Sequence, residues 1–149
     1  MALKGEIRNS MISATKSRDL VALSTLRMLL AAIKNREIEL RGEVDDTEVL
    51  KIISTMIKQR NEAVGMYEKG GREDLASKER EEITVLEEYL PPKIDTSELK
   101  TLVESVVADM GASGMKDMGK VMKTVMPRLT GRVEGKEVSE VVKNILSGS

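Results

Sequence analysis

Six cations fall between residues 116 and 136: Lys116, Lys120, Lys123, Arg128, Arg132 and Lys136. Only Asp117 and Glu134 oppose them, so the segment carries a local charge of +4 within a chain of net charge −1. Cations at this density can contact phosphate. Gly119 and Gly131 interrupt the run and would let a phosphate backbone come close to the main chain. These eight residues are the candidate nucleic-acid contacts. Charge alone favours a plainer reading, an amphipathic helix with a solvated basic side, because charge runs are usually solvated faces.

Other chemistry is poorly supplied. The chain has no histidine, so the commonest general base and the commonest transition-metal ligand are both missing. It has no cysteine, which excludes disulfides and thiolate chemistry. A serine–lysine pair around Ser113 and Lys116 is conceivable, but nothing in the spacing singles it out. No phosphate-cradling loop and no dinucleotide glycine fingerprint occurs. Between Arg72 and Leu90 seven acids face three bases, which makes that stretch unsuited to nucleic acid. Without histidine its carboxylates read as an exposed face rather than a metal or acid–base site. We therefore expect no metal and no cofactor, and binding rather than catalysis.

The elements that must position the cations are all helical. Aromatic residues make up 1% of the chain, only Tyr67 and Tyr89, so the core must come from Leu, Ile, Val and Met. Residues 2–15 read as a polar, weakly packed helix with Leu3, Ile7, Met11 and Ala14 on one face. Residues 17–41 carry Leu20, Leu23, Leu26, Leu30, Ile33 and Leu40 at helical spacing, with Gly42 as terminator. Arg27, Lys34 and Arg41 recur every seventh residue there and line one polar stripe, either a second phosphate contact or plain solvation, and Glu37 and Glu39 nearby favour solvation. Asp45 and Glu48 form a capping box, Leu50, Ile53, Ile57, Val64 and Tyr67 mark the next buried face, and Gly70-Gly71 ends it. Gln59 to Ala63 reads as its solvent side. A fourth helix spans about 73–90.

Pro91-Pro92 then stops this helix and stiffens the chain, which marks a domain boundary. A second capping box, Asp95 and Glu98, opens a helix closed by Gly111. The cationic segment follows, with Val121, Met122, Val125 and Met126 on its apolar face. A last helix covers about 136–146. The expected architecture is all-α: an N-terminal four-helix domain over 1–91 and a small three-helix domain over 92–149. No apolar run approaches a membrane span, and the N-terminus lacks the apolar stretch of a signal peptide. A cytoplasmic protein with no membrane contact is the expectation.

Several motifs in order carry a resemblance across the whole chain. Leu86-Glu87-Glu88-Tyr89-Leu90-Pro91, followed by Asp117-Met118-Gly119-Lys120-Val121-Met122, resembles the YqeY-like family, as do Arg60-Asn61-Glu62-Ala63 and Gly70-Gly71-Arg72. That family is similar to the C-terminal helical tail of the B subunit of the tRNA-dependent amidotransferase. Gly119-Lys120-Val121-Met122-Lys123 and Gly131-Arg132 look like the tail's own motifs. The resemblance implies tRNA binding, or association with a tRNA-handling enzyme such as an amidotransferase or synthetase. It also implies a family-level label of carbon–nitrogen ligase with glutamine as amide donor. The chain is too short to hold that subunit's catalytic domain, so the label reads as inherited from the larger enzyme.

Overall fold

The computed structural model describes residues 2–148 and is all-α, with no strand among the described residues. In order come α1 (Leu3–Ser17), α2 (Leu20–Leu40), α3 (Asp46–Lys69), α4 (Glu73–Glu87), α5 (Thr96–Met110), a 3-10 turn (Met115–Asp117), α6 (Met118–Leu129) and α7 (Gly135–Leu146). The residues cluster into two compact units, one ending at Leu90 and the other starting at Pro91. The first holds α1 to α4 and the second α5 to α7.

Helix α1 packs more firmly than its polar composition predicts. Ile7 is fully buried, and Leu3 and Met11 lean on the same core. Its first turn is capped from another helix, the Leu3 N–H donating to Asp46 Oδ1 at 2.9 Å. Helix α2 starts on Asp19, whose carboxylate accepts the Ala22 N–H at 3.1 Å. Its buried face is Thr25, Leu26, Leu29 and Ile33. Leu20 and Leu40 are exposed instead, because Leu20 lies across the helix from that face and Leu40 is its last residue. Gly42 is not the left-handed terminator: Arg41 takes that conformation with φ 55, and Arg18 does the same after α1 with φ 59.

Helices α3 and α4 share the most extensive packing of any pair. The Asp45 carboxylate accepts the Glu48 N–H at 2.8 Å, but Glu48 does not reach back to close the box. Its own carboxylate accepts Arg36 Nε–H at 2.8 Å. The expected solvent side of α3 is corrected at Arg60, which turns inward. Its Nε–H donates to Glu82 Oε2 at 3.0 Å, and Nη1 donates to the Met56 carbonyl at 3.3 Å. The two side chains are only 12% and 10% exposed. Glu82 thus departs from the expected exposure of the α4 carboxylates. A pattern that sends every charge outward misses a pair that neutralises itself between two helices.

The second unit has its own core. Asp95 caps α5 by accepting the Glu98 N–H at 2.7 Å, and Gly111 ends that helix at φ 66. Leu99, Val103 and Val106 of α5 meet Val121, Val125 and Leu129 of α6 and Val138, Val142 and Leu146 of α7. The methionines lie at the edges of this core. Met118, Met122 and Met126 are half-buried flanks, and the valines with Leu129 form the centre. Pro127 sits within the last turn of α6.

Two outcomes follow from these contacts. Breaking the interior pair with Arg60→Ala leaves a carboxylate uncompensated between helices and should lower unfolding free energy by about 2–4 kcal/mol. The double replacement Arg60→Met with Glu82→Leu should recover most of that loss in denaturant titrations. The second outcome concerns Glu37, whose carboxylate accepts both hydrogen bonds from Lys4 Nζ at 2.8 Å and the Val44 N–H at 3.2 Å. The lysine contact foremost, then the Val44 amide, hold its pKa below the ordinary 4.5. A depressed carboxyl stabilises the fold fully above its unfolded pKa, and that contribution is lost as pH falls through the folded value. Thermal melts should therefore show Glu37→Gln less stable than the parent near neutral pH, with the gap closing below pH 4.5.

Candidate nucleic-acid interface

The twelve residues of α6 divide cleanly around the helix. At 3.6 residues per turn, Gly119, Lys120 and Lys123 lie on the face opposite Val121, Val125 and Leu129. Burial of those three apolar side chains therefore turns the two lysines to solvent. Lys116 precedes them in the 3-10 turn, and Arg128 is exposed in the last turn. Lys136 is exposed in the first turn of α7. That turn lies against the end of α6: a Cβ placed on Gly135 would be 3.6 Å from Met126 Cε. Lys116, Lys120, Lys123, Arg128 and Lys136 form no ion pair among the described residues.

Arg132 stands apart from this group. Its Nε–H donates to the Pro92 carbonyl at 2.9 Å, and Nη2 lies 3.9 Å from Glu98 Oε2. Its own carbonyl accepts the Ile94 N–H at 3.0 Å. Arg132 thus fastens the segment leading into α5 to the turn after α6. Gly131 makes that turn with φ 78, a conformation that favours glycine. Both were singled out from sequence as phosphate contacts, and both already have a role in holding the chain. Spacing alone could not reveal this, because the partners are main-chain groups forty residues away.

Gly119 is the opposite case. It sits inside α6, and a Cβ there would meet nothing within 4 Å. A glycine in a helix costs about 0.5–1 kcal/mol relative to alanine, and no neighbour in the fold requires it. The outer face of α6 therefore combines exposed unpaired cations with open backbone.

The remaining candidates for chemistry are dispersed. The Ser113 N–H donates to Asp117 Oδ2 at 3.0 Å, and no hydrogen bond joins Ser113 to Lys116. Among the described residues, no group of three or more acidic side chains could hold a metal ion. Among the described residues no helix is long and apolar enough to cross a membrane. Two open clefts, of about 410 and 380 Å³, lie in the first unit. The larger runs between α2 and α3 over Ile52 and Met56, with the Arg36–Glu48 pair on its wall. Tyr89 borders the smaller, and burial raises its phenol pKa.

The family model described as Yqey-like protein matches residues 4–146. The chain belongs to the Yqey-like protein family. A relative in Vanderwaltozyma polyspora, altered inheritance of mitochondria protein 41, mitochondrial, is 32% identical over 125 residues, covering 79% of this chain and 65% of its own. The protein of the same name in Pyrenophora tritici-repentis is 29% identical over 147 residues, covering 97% of this chain and 78% of its own. In Saccharomyces cerevisiae the namesake is 32% identical over 98 residues, covering 65% of this chain and 51% of its own. The chain thus spans between about half and three quarters of these relatives. The expectation of a cytoplasmic protein is corrected by them, since their names place them in mitochondria. A chain without cysteine suits any reducing compartment, so composition does not separate one from another.

Stability separates the two kinds of glycine and arginine at this site. Gly119→Ala should raise unfolding free energy by about 0.5–1 kcal/mol, because it removes a helix penalty and meets no neighbour. Arg132→Ala should lower it by about 1 kcal/mol through the lost bond to Pro92. Thermal melts of the two variants beside the parent check both signs.

Proposed function

We propose that this Yqey-like protein binds the phosphate backbone of tRNA through its second unit and has no chemistry of its own. The observation that carries the reading is the outer face of α6, where Lys120 and Lys123 flank the open Gly119. Lys116, Arg128 and Lys136 extend the surface. The resemblance of Gly119 to Lys123 to the tail of the amidotransferase B subunit supports tRNA as the phosphate polymer. On this reading residues 1–91 and 92–149 act as separate domains, and the second carries the RNA contacts. Neither tyrosine belongs to it, so base stacking is absent and recognition is of RNA shape and backbone.

A second reading has one observation in its favour. Met110 and Met115, at either side of the turn between α5 and α6, are 40% and 45% exposed. Apolar, flexible side chains at that place suit docking on a tRNA-handling enzyme such as an amidotransferase or synthetase. Co-purification of such an enzyme after ribonuclease treatment would favour it over direct RNA contact.

Phosphate contacts release counterions, so tRNA affinity should fall with salt with a log–log slope of about −3 to −4. Charge reversal by Lys120→Glu with Lys123→Glu should weaken binding at least about tenfold and reduce that slope by about 2. Arg132 is left unchanged, because altering it would disturb the fold as well. The reading fails if tRNA binds no better than a random duplex at low salt, or if the double variant binds as tightly as the parent.

A further inference from the structure

The outer face of α2 is apolar and basic at once, and nothing in the fold covers it. Leu20 is 73% exposed and Ile38 66%, and Ala31 is exposed between them. With Arg27 and Lys34 they recur at spacings of seven, four, three and four, which places these five on one side of the helix, and Arg41 follows at its left-handed C-terminus. That side is opposite the buried Leu26, Leu29 and Ile33. The two neighbouring carboxylates do not neutralise it. Glu37 is held by Lys4 and the Val44 N–H, and Glu39 by Arg36. Arg27, Lys34 and Arg41 have no ion pair among the described residues. The exposed face runs about 27 Å along the helix from Leu20 to Ile38.

The geometry points to a docking surface for an acidic amphipathic helix of a partner protein. Such a helix would lay apolar residues at three- and four-residue spacing on Leu20, Ala31 and Ile38. Its flanking carboxylates would meet Arg27, Lys34 and Arg41. Charge decides between this occupant and others. A second copy of α2 would set the three cations against their own kind, which is repulsive in either direction. The acidic outer face of α4, with Glu73, Glu81 and Glu88 exposed, supplies charge but only Ser77 and Thr84 between them, so it offers nothing to the leucine and isoleucine. An RNA backbone would answer the cations and leave the same two aliphatic side chains wet. This surface lies in the first unit and is independent of the RNA reading.

The test uses the full chain and a synthetic helical peptide with leucine at its a and d positions and glutamate flanking them. A version with lysine for glutamate serves as control. The acidic peptide should bind and the lysine version should not. Arg27→Glu with Lys34→Glu, and separately Leu20→Ser with Ile38→Ser, should each weaken binding at least about tenfold. Circular dichroism melts of both variants should match the parent, since all four positions are exposed. The proposal is overturned if the acidic peptide does not bind, or binds both variants as tightly as the parent. It is equally overturned if the chain instead binds phosphatidylserine-containing vesicles, or self-associates, through these same residues.

Discussion

Nearly all of the cohesion in this protein has to come from aliphatic side chains. With two tyrosines and no other aromatic residue, each core is built from leucine, isoleucine, valine and methionine. Each such side chain contributes about 1.5–3 kcal/mol when fully buried, so a helix needs several to stay in place. That requirement fixes which face of each helix turns inward, and so which charges are left outside. In α6 the inward face is Val121, Val125 and Leu129, and the lysines follow of necessity to the far side.

Five of the arginines are tied to groups inside the fold. Arg36, Arg60, Arg72 and Arg80 each pair with a carboxylate, and Arg132 holds a main-chain carbonyl. The planar, multiply donating guanidinium suits such fixed geometry. The lysines around α6 hold nothing inside the fold. Their side chains are exposed and unpaired among the described residues, which suits a contact with a phosphate backbone. A Cβ on Gly119 would meet no neighbour within 4 Å, so no contact inside the fold calls for a glycine there. In the first unit the same logic singles out the outer face of α2, where unpaired cations accompany exposed aliphatic residues.

The helices were largely legible from periodicity and punctuation. Both aspartate caps, Asp45 and Asp95, bind the predicted amide, and Gly111 closes α5 in the left-handed conformation. What sequence could not supply was the partner of each charge. Arg60 reads as a surface residue until α4 brings Glu82 beside it. Arg132 reads like any other cation of the basic segment until the chain folds Pro92 and Ile94 against it. Helix rotation also moved the details: Met122 lies at the edge of its apolar face with Val125 at the centre, and Leu29 replaced Leu20 in the first core. Those shifts arise from packing against particular neighbours, which spacing within one helix does not encode.

The central claim is that the exposed side of α6 is a phosphate-contacting surface. Amide chemical-shift mapping of the full chain during titration with unmodified tRNA tests it residue by residue. The account predicts shifts concentrated at Lys116, Gly119, Lys120, Lys123 and Lys136, with the acidic α4 unaffected, and their disappearance as salt is raised. Shifts confined to α2 or α4, or a spectrum unchanged at low salt with excess tRNA, would contradict it.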